Sequence, residues 1–439
     1  MKYLRRTIDA ELKKWAEAES RKPLLLRGAR QVGKSSAVRN LARSFTYFLE
    51  VNFESDREVH TFFEGNLDPA AICEKLSLYY NIPVRPGETL LFFDEIQVCL
   101  PAISSLRFFY EKYGELHLVA AGSLLEFALS DLRSFAVGRV RSLFMYPFSF
   151  DEFLWAMGEE RLADAKNKAD YEHPLAEPFH NKLNDYLKKF LILGGMPEVV
   201  SEYASNGDML ECMRILDDIK VAFRADFAKY KEKVPTLRIQ EVFDSAAEQA
   251  GGKFVYARAS SDSSYRQVRE AVELLVMAGL LIPVYRSPGN GIPLGAGSDL
   301  SQFKLLVMDM GLFQRMLGLA IPALLVSEDW EVVNKGALAE LFAGLELVKN
   351  AGPYTQAQLF YWAREAKGSN AEVDYLVQQS DRICPIEIKS GVKGSMRSLY
   401  VYLEEKGLDY GIRSSLENFS SYDKIRVCPL YALGKKMFT

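Results

Sequence analysis

"LLLRGARQVGKSSAVRNLARSF", residues 24–45, decides the fold of the N-terminal part of this chain. Three leucines lead into Gly28-Ala29-Arg30-Gln31-Val32-Gly33-Lys34-Ser35, which fits GxxxxGK[ST], and the residues after it have helical spacing. A strand, a glycine loop and a helix are the context this motif requires. The glycines let backbone amides curl around phosphate oxygens at the positive end of a helix. The candidate nucleotide-binding residues are therefore Gly28, Ala29, Arg30, Gln31, Val32, Gly33, Lys34, Ser35 and Ser36. Lys34 is expected to reach the β- and γ-phosphates, and the Ser35 hydroxyl to ligate Mg²⁺. Arg30 and Gln31 are bulky for such a loop, and packing is the plain reason for them.

Outward from the loop, four further stretches read as strands: "FTYFLEVNFE" (45–54), "ETLLFFDEIQ" (88–97), "LHLVAAGSLLE" (116–126) and the start of "RVRSLFMYPFSFDEFL" (139–154). The second of these is apolar enough to be buried on both faces, as parallel strands are. Strands alternating with helices predict a doubly wound α/β domain. Phe92-Phe93-Asp94-Glu95 has the Walker B arrangement. Asp94 is expected to join Ser35 in the Mg²⁺ shell and Glu95 to polarise the attacking water. Ser123, at the tip of the next strand, is placed as a sensor of γ-phosphate or water, or simply as a helix N-cap. Arg139 is a candidate to stabilise charge on the γ-phosphate; the plainer reading is a structural arginine. Asn167-Lys168-Ala169-Asp170 spells the guanine-reading NKxD, yet it ends a polar helical stretch with no buried strand to aim it. ATP is the expected nucleotide.

The 439 residues exceed one ordinary domain, with half of them apolar and a quarter charged. A net charge of −4 argues against a broad nucleic-acid coat while allowing a local basic channel. The five cysteines form no CxxC pair and the four histidines are dispersed, so zinc is not expected and a reduced, cytoplasmic setting is. With a charged N-terminus a signal peptide is not expected, and the longest apolar run, "LLVMAGLLIPV", is too short for a bilayer.

Residues 155–250 read as mostly helical, broken at "GGMPEVV" (194–200). The helix "SSYRQVREAVELLVMAGL", the strand "LLIPVYR", the loop "SPGNGIPLGAGS" and the strand "FKLLVMD" are what a winged helix-turn-helix would produce. A third unit begins with the helix "VVNKGALAELFAGLEL" (332–347), followed by strands near 358–363, 371–377 and 383–389.

Taken in order, "RGARQVGKS", "FFDEIQ", "AGSLLE", "PFSFDEF" and "GGMPE" resemble the prokaryotic AAA+-type ATPases that carry an uncharacterised C-terminal domain. The likeness continues through "KGALAELF" and "EVDYLV…PIEIKSG". It implies an AAA-like ATPase domain (1–205), a helical linker and winged-helix-like region (206–325), and a C-terminal α/β domain with a restriction-endonuclease-like core (326–439). The expected partners are ATP, DNA, and a second copy of the chain or another protein; a membrane is not expected.

"CPIEIKSGVKG" (384–394) alternates a glutamate and a lysine along a short, otherwise apolar strand. Strands 371–377 and 383–389 flank "QQSDR". If the turn centres on Ser380-Asp381, residues whose numbers sum to 761 face each other. Asp374 then lies opposite Glu387 and Glu372 opposite Lys389, all on one face. Facing carboxylates repel, so a divalent cation or Lys389 must relieve them. Asp374, Glu387 and Lys389 also match the Asp…Glu-x-Lys core that the resemblance implies, where the acids bind Mg²⁺ and the lysine serves water. Glu340 matches an additional acid of that site. Two alternatives stand beside it: a solvated hairpin with ordinary ion pairs, and a nuclease-like face reused for binding. As a whole the chain reads as an ATP- and Mg-dependent ATPase working on DNA through this face; the alternative is a nucleotide-dependent switch or scaffold whose C-terminal domain only recognises a partner.

Overall fold

The computed structural model describes residues 3–131, 138–230, 234–260, 264–318, 335–364, 370–391 and 394–436, which fall into two units. The expected boundary at 325/326 and the first residues of the helix expected over 332–347 lie outside the described residues.

The first unit comprises Met1–Tyr146 with Met277–Gly279 and Pro353–Gln356. Five strands form its sheet: β1 (Leu24–Arg27), β2 (Tyr47–Asn52), β3 (Thr89–Asp94), β4 (His117–Ala121) and β5 (Arg141–Phe144). They are all parallel, in the order β2-β3-β4-β1-β5. Every residue of β3 and β4 is buried, which is why both read as continuous apolar runs rather than alternating ones. Phe53, Phe63 and Phe109 meet the Phe93 ring edge-on at 5.5, 5.6 and 6.0 Å, a geometry that aligns ring edges with ring faces. The helix Pro69–Tyr80 begins where Asp68 accepts the Ala71 amide ahead of Pro69, and stops at the left-handed Asn81. This is the α/β sheet of a P-loop NTPase.

The second unit comprises Pro147–Val276, Leu280–Gly352 and Ala357–Thr439. Helices occupy its first half. The motif "GGMPE" has a physical reason here. The buried Asp309 carboxylate accepts the amides of Gly195 (2.6 Å), Gly311 (2.9 Å) and Leu312 (3.1 Å). A Cβ on Gly194, whose φ is +72°, would stand 2.2 Å from the same carboxylate, so only glycine fits.

Eight strands follow: β6 (Leu281–Arg286), β7 (Asp299–Val307), β8 (Leu359–Ala363), β9 (Glu372–Gln379), β10 (Arg382–Ile388), β11 (Gly411–Ser415), β12 (Ser420–Tyr422) and β13 (Ile425–Pro429). They make one mixed sheet in the order β12-β13-β11-β10-β9-β8-β6-β7. The hairpin β6–β7, read above as a wing, is continuous with the C-terminal strands because β6 pairs in parallel with β8 through Val284↔Leu359. The hairpin β9–β10 has the register argued from its turn: Arg382↔Gln379 through Ile386↔Tyr375 all sum to 761. Ser380 takes φ +51° in that turn, a left-handed position that a tight hairpin requires.

Candidate functional site

The loop between β1 and the helix Lys34–Ala42 is shaped by two glycines. At Gly28, φ is +140° and a Cβ would fall 2.2 Å from the Met145 carbonyl oxygen. Gly33 caps the helix at φ +95°, a conformation that L side chains avoid. The Lys34 ammonium donates to the carbonyls of Gly28 (2.8 Å) and Ala29 (2.7 Å), folded back into its own loop. Burial pulls its pKa down to about 8; Glu95 and Asp94 oppose that pull and Arg30 adds to it.

β3 delivers the acids. The Ser35 hydroxyl donates to both Asp94 oxygens, at 3.1 and 3.0 Å. A hydroxyl and a carboxylate in contact at the start of a helix suit a small hard cation that keeps most of its waters, so these two groups fit Mg²⁺. Burial, the largest influence, raises the Asp94 pKa, while the Ser35 hydrogen bond draws it back. Glu95 leaves the strand in a left-handed conformation, φ +50°, a position that costs a non-glycine residue of the order of 1 kcal/mol or more. Its Oε2 accepts from Ser123 Oγ at 3.2 Å and from Gln97 Nε2 at 2.5 Å. Ser123 stands there because β4 lies between β1 and β3 in space.

Gln97 was missed in the sequence. It sits two residues after Glu95 in "DEIQ", and only the turn of the chain after β3 brings its amide back. Its side chain also explains Gly122, where a Cβ would come within 2.0 Å of Gln97 Oε1. Arg139 donates to Glu111 at 2.5 Å. Arg27, at the end of β1, forks onto both oxygens of Glu126. The NKxD tetrapeptide belongs to the second unit, where Asn167 donates to Asp151 at 3.2 Å.

In the second unit the four C-terminal candidates come together. Asp374 Oδ2 accepts the Ile388 amide at 2.7 Å, taking over from the ladder where the β9–β10 pairing ends. Glu387 Oε1 accepts from Lys389 at 2.8 Å; Glu387 Oε2 is buried with no hydrogen-bond partner. Glu340, on the helix Lys335–Asn350, is seated by Tyr375, whose hydroxyl donates to the Glu340 carbonyl at 2.7 Å. A further residue enters from β7. Lys304, 1% exposed, places its ammonium 2.6 Å from a carboxylate oxygen of Glu340 and 2.6 Å from one of Glu372, over the Tyr361 ring at 5.2 Å. Burial pushes the pKa values of Glu340, Asp374 and Glu387 upward, and Lys304 opposes that push at Glu340 and Asp374. Burial draws the Lys304 pKa down, but Glu340, Glu372 and Asp374 together outweigh it and hold the ammonium above its ordinary pKa. Among the described residues no group of three or more His, Cys, Asp or Glu is arranged to hold a metal ion.

Residues 20–154 match the family model of an AAA domain. The first unit thus carries an AAA-type P-loop ATPase domain. Residues 184–322 and 335–433 match two models each described as a domain of unknown function, DUF8612 and DUF4143. Among solved structures, the chain is similar to a Walker-type ATPase of Pyrococcus abyssi at 16% identity and a TM-score of 0.45, covering 72% of this chain and 96% of that one. It is also similar to the Aeropyrum pernix ORC1 protein in complex with DNA, at 15% identity and a TM-score of 0.27, covering 72% and 93%. No curated protein sequence matches. No helix among the described residues is long and apolar enough to cross a membrane, and all five cysteines are buried and unpaired.

Proposed function

We propose that this chain is a Mg-dependent ATPase whose nucleotide cycle switches the second unit between states in which it recognises a partner. The observation that carries the proposal is the contact of Ser35 Oγ with both Asp94 oxygens at the foot of the P-loop helix. Bound Mg²⁺ supplies charge neutralisation at the β- and γ-phosphates, with Ser35 and Asp94 as its protein ligands. Residues Gly28 to Ser36 present amides to the phosphates. Lys34 exchanges two backbone carbonyls for phosphate oxygens. Glu95 orients the water and accepts its proton, and Ser123 and Gln97 fix which way its carboxylate points. Arg139 must leave Glu111 to contact the γ-phosphate.

The other reading has the second unit act on DNA as a nuclease through Asp374, Glu387, Lys389 and Glu340. Lys304 favours the switch, because the acidic face already holds a cation. DNA remains a candidate partner under either reading. ATP turnover, measured with and without plasmid and single-stranded DNA, tests the proposal. Wild-type protein should hydrolyse ATP and Lys34→Ala should not; normal turnover in that variant removes the P-loop assignment. A rate that responds to DNA makes DNA the partner.

A further inference from the structure

We infer that Lys304 is a resident counter-ion of the acidic face, held where a divalent cation would otherwise bridge the carboxylates, so that the face works without metal. This builds on the switch reading given above and states why the second unit recognises rather than cuts.

Three observations converge on Lys304. The first is geometric: one ammonium contacts the carboxylates of Glu340 and Glu372 at 2.6 Å each, with the Tyr361 ring beneath it. An ammonium has three N–H donors. Two are spent on carboxylates, and the ring face suits the remaining positive charge. The second is burial. Lys304 is almost fully enclosed in the buried, otherwise apolar C-terminal stretch of β7, Phe303-Lys304-Leu305-Leu306-Val307. A lysine there is tolerated only because it is paired, since an uncompensated buried ammonium is strongly destabilising. The third is the engagement of the other two acids. One oxygen of Asp374 takes the Ile388 amide and one of Glu387 takes Lys389.

A divalent cation on carboxylates collects about six oxygen ligands. Here one oxygen of each of four acids is already engaged, by two lysines and one amide, and Glu387 Oε2 is a buried oxygen left without a partner. Bringing a doubly charged ion to that oxygen would set it beside the Lys389 ammonium on the same carboxylate, in a low-dielectric site where like charges repel most, with Lys304 already bridging Glu340 and Glu372. The residues present therefore do not fit the metal that the nuclease likeness implies.

The experiment uses nucleotide-free full-length protein titrated with Mn²⁺ and followed by electron paramagnetic resonance, with plasmid cleavage assayed in the same buffer. Wild type should bind no Mn²⁺ that Glu387→Gln removes, and should cut no DNA. Lys304→Met and Lys304→Gln, checked for folding by circular dichroism, should gain a Mn²⁺ site at least about tenfold tighter than any wild-type binding. Combining either with Asp374→Asn should remove it. Stoichiometric Mn²⁺ binding by wild type that Glu387→Gln abolishes overturns the inference, as does a folded Lys304 variant that gains no site. Should neither variant fold, the wild-type titration alone decides in the same terms. Metal binding without cleavage sinks the inference and leaves the switch; cleavage lost in Glu387→Gln sinks both.

Discussion

Two places in this molecule gather carboxylates at strand ends, and they are finished in opposite ways. At the end of β3, Asp94 meets a neutral hydroxyl, and the nearest lysine is folded back onto its own loop carbonyls. On β9 and β10, the acids meet two lysines directly. A carboxylate beside a hydroxyl keeps its charge available for a cation. A carboxylate beside an ammonium has already spent it. Charged residues alone do not distinguish the two; what fills the space between them does.

Substitutions that strike the difference hardest come first. Glu95→Gln keeps the shape and the hydrogen bond to Ser123 but cannot accept a proton. Turnover should fall by about 10²- to 10⁴-fold, the range for a positioned general base, while ATP binding by equilibrium dialysis stays within about threefold of wild type. Equal loss of binding and turnover would mean that Glu95 holds the loop rather than the water. Gln97 is a smaller lever because it acts only through Glu95. Gln97→Leu should lower kcat about tenfold with KM for ATP unchanged, and Gln97→Asn should restore part of it. A change in KM alone would make Gln97 a packing residue beneath Gly122.

The P-loop was legible because its requirements are local. Gly28 and Gly33 are needed for backbone reasons that act within one loop, and the apolar runs of β3 and β4 report their own burial. The β9–β10 register was legible too, since a two-residue turn fixes every pairing beyond it. Lys304 was not. It precedes Glu340 by 36 residues, and one lysine in "FKLLVMD" says nothing until β7 is known to share a sheet with β9. That placement depends on β6 pairing with β8, a long-range choice that hydrophobic pattern does not encode. The same pairing draws the hairpin read as a separate wing into the C-terminal sheet. Gln97 escaped for a different reason: a glutamine two residues past an acid acquires meaning only from the left-handed turn at Glu95.

The gentlest test is a titration of the lysine that sits beside neither hydroxyl nor phosphate in the nucleotide-free protein. Burial lowers the Lys34 pKa to about 8, with the acids Glu95 and Asp94 opposing. Phosphate oxygens require the ammonium form, so nucleotide binding must draw the pKa back up. The sign follows: below pH 8 Lys34 is already charged and binding takes up little proton, whereas above pH 8 binding must recruit one. Affinity for ATP should therefore weaken as pH rises through 8, by up to about tenfold for each pH unit above it, because holding a proton one pH unit beyond the pKa costs about 1.36 kcal/mol. Calorimetry at pH 8.5 in two buffers of different ionisation enthalpy should show uptake approaching one proton, vanishing at pH 7. In the folded chain without nucleotide the same depression works the other way. The unfolded lysine keeps its proton up to about 10.5, so this residue's contribution to stability rises with pH between 8 and 10.5. Binding and stability thus respond to pH in opposite directions through one side chain. Loss of the proton uptake in Asp94→Asn, with affinity otherwise retained, would assign it to the acid instead and remove Lys34 from the account.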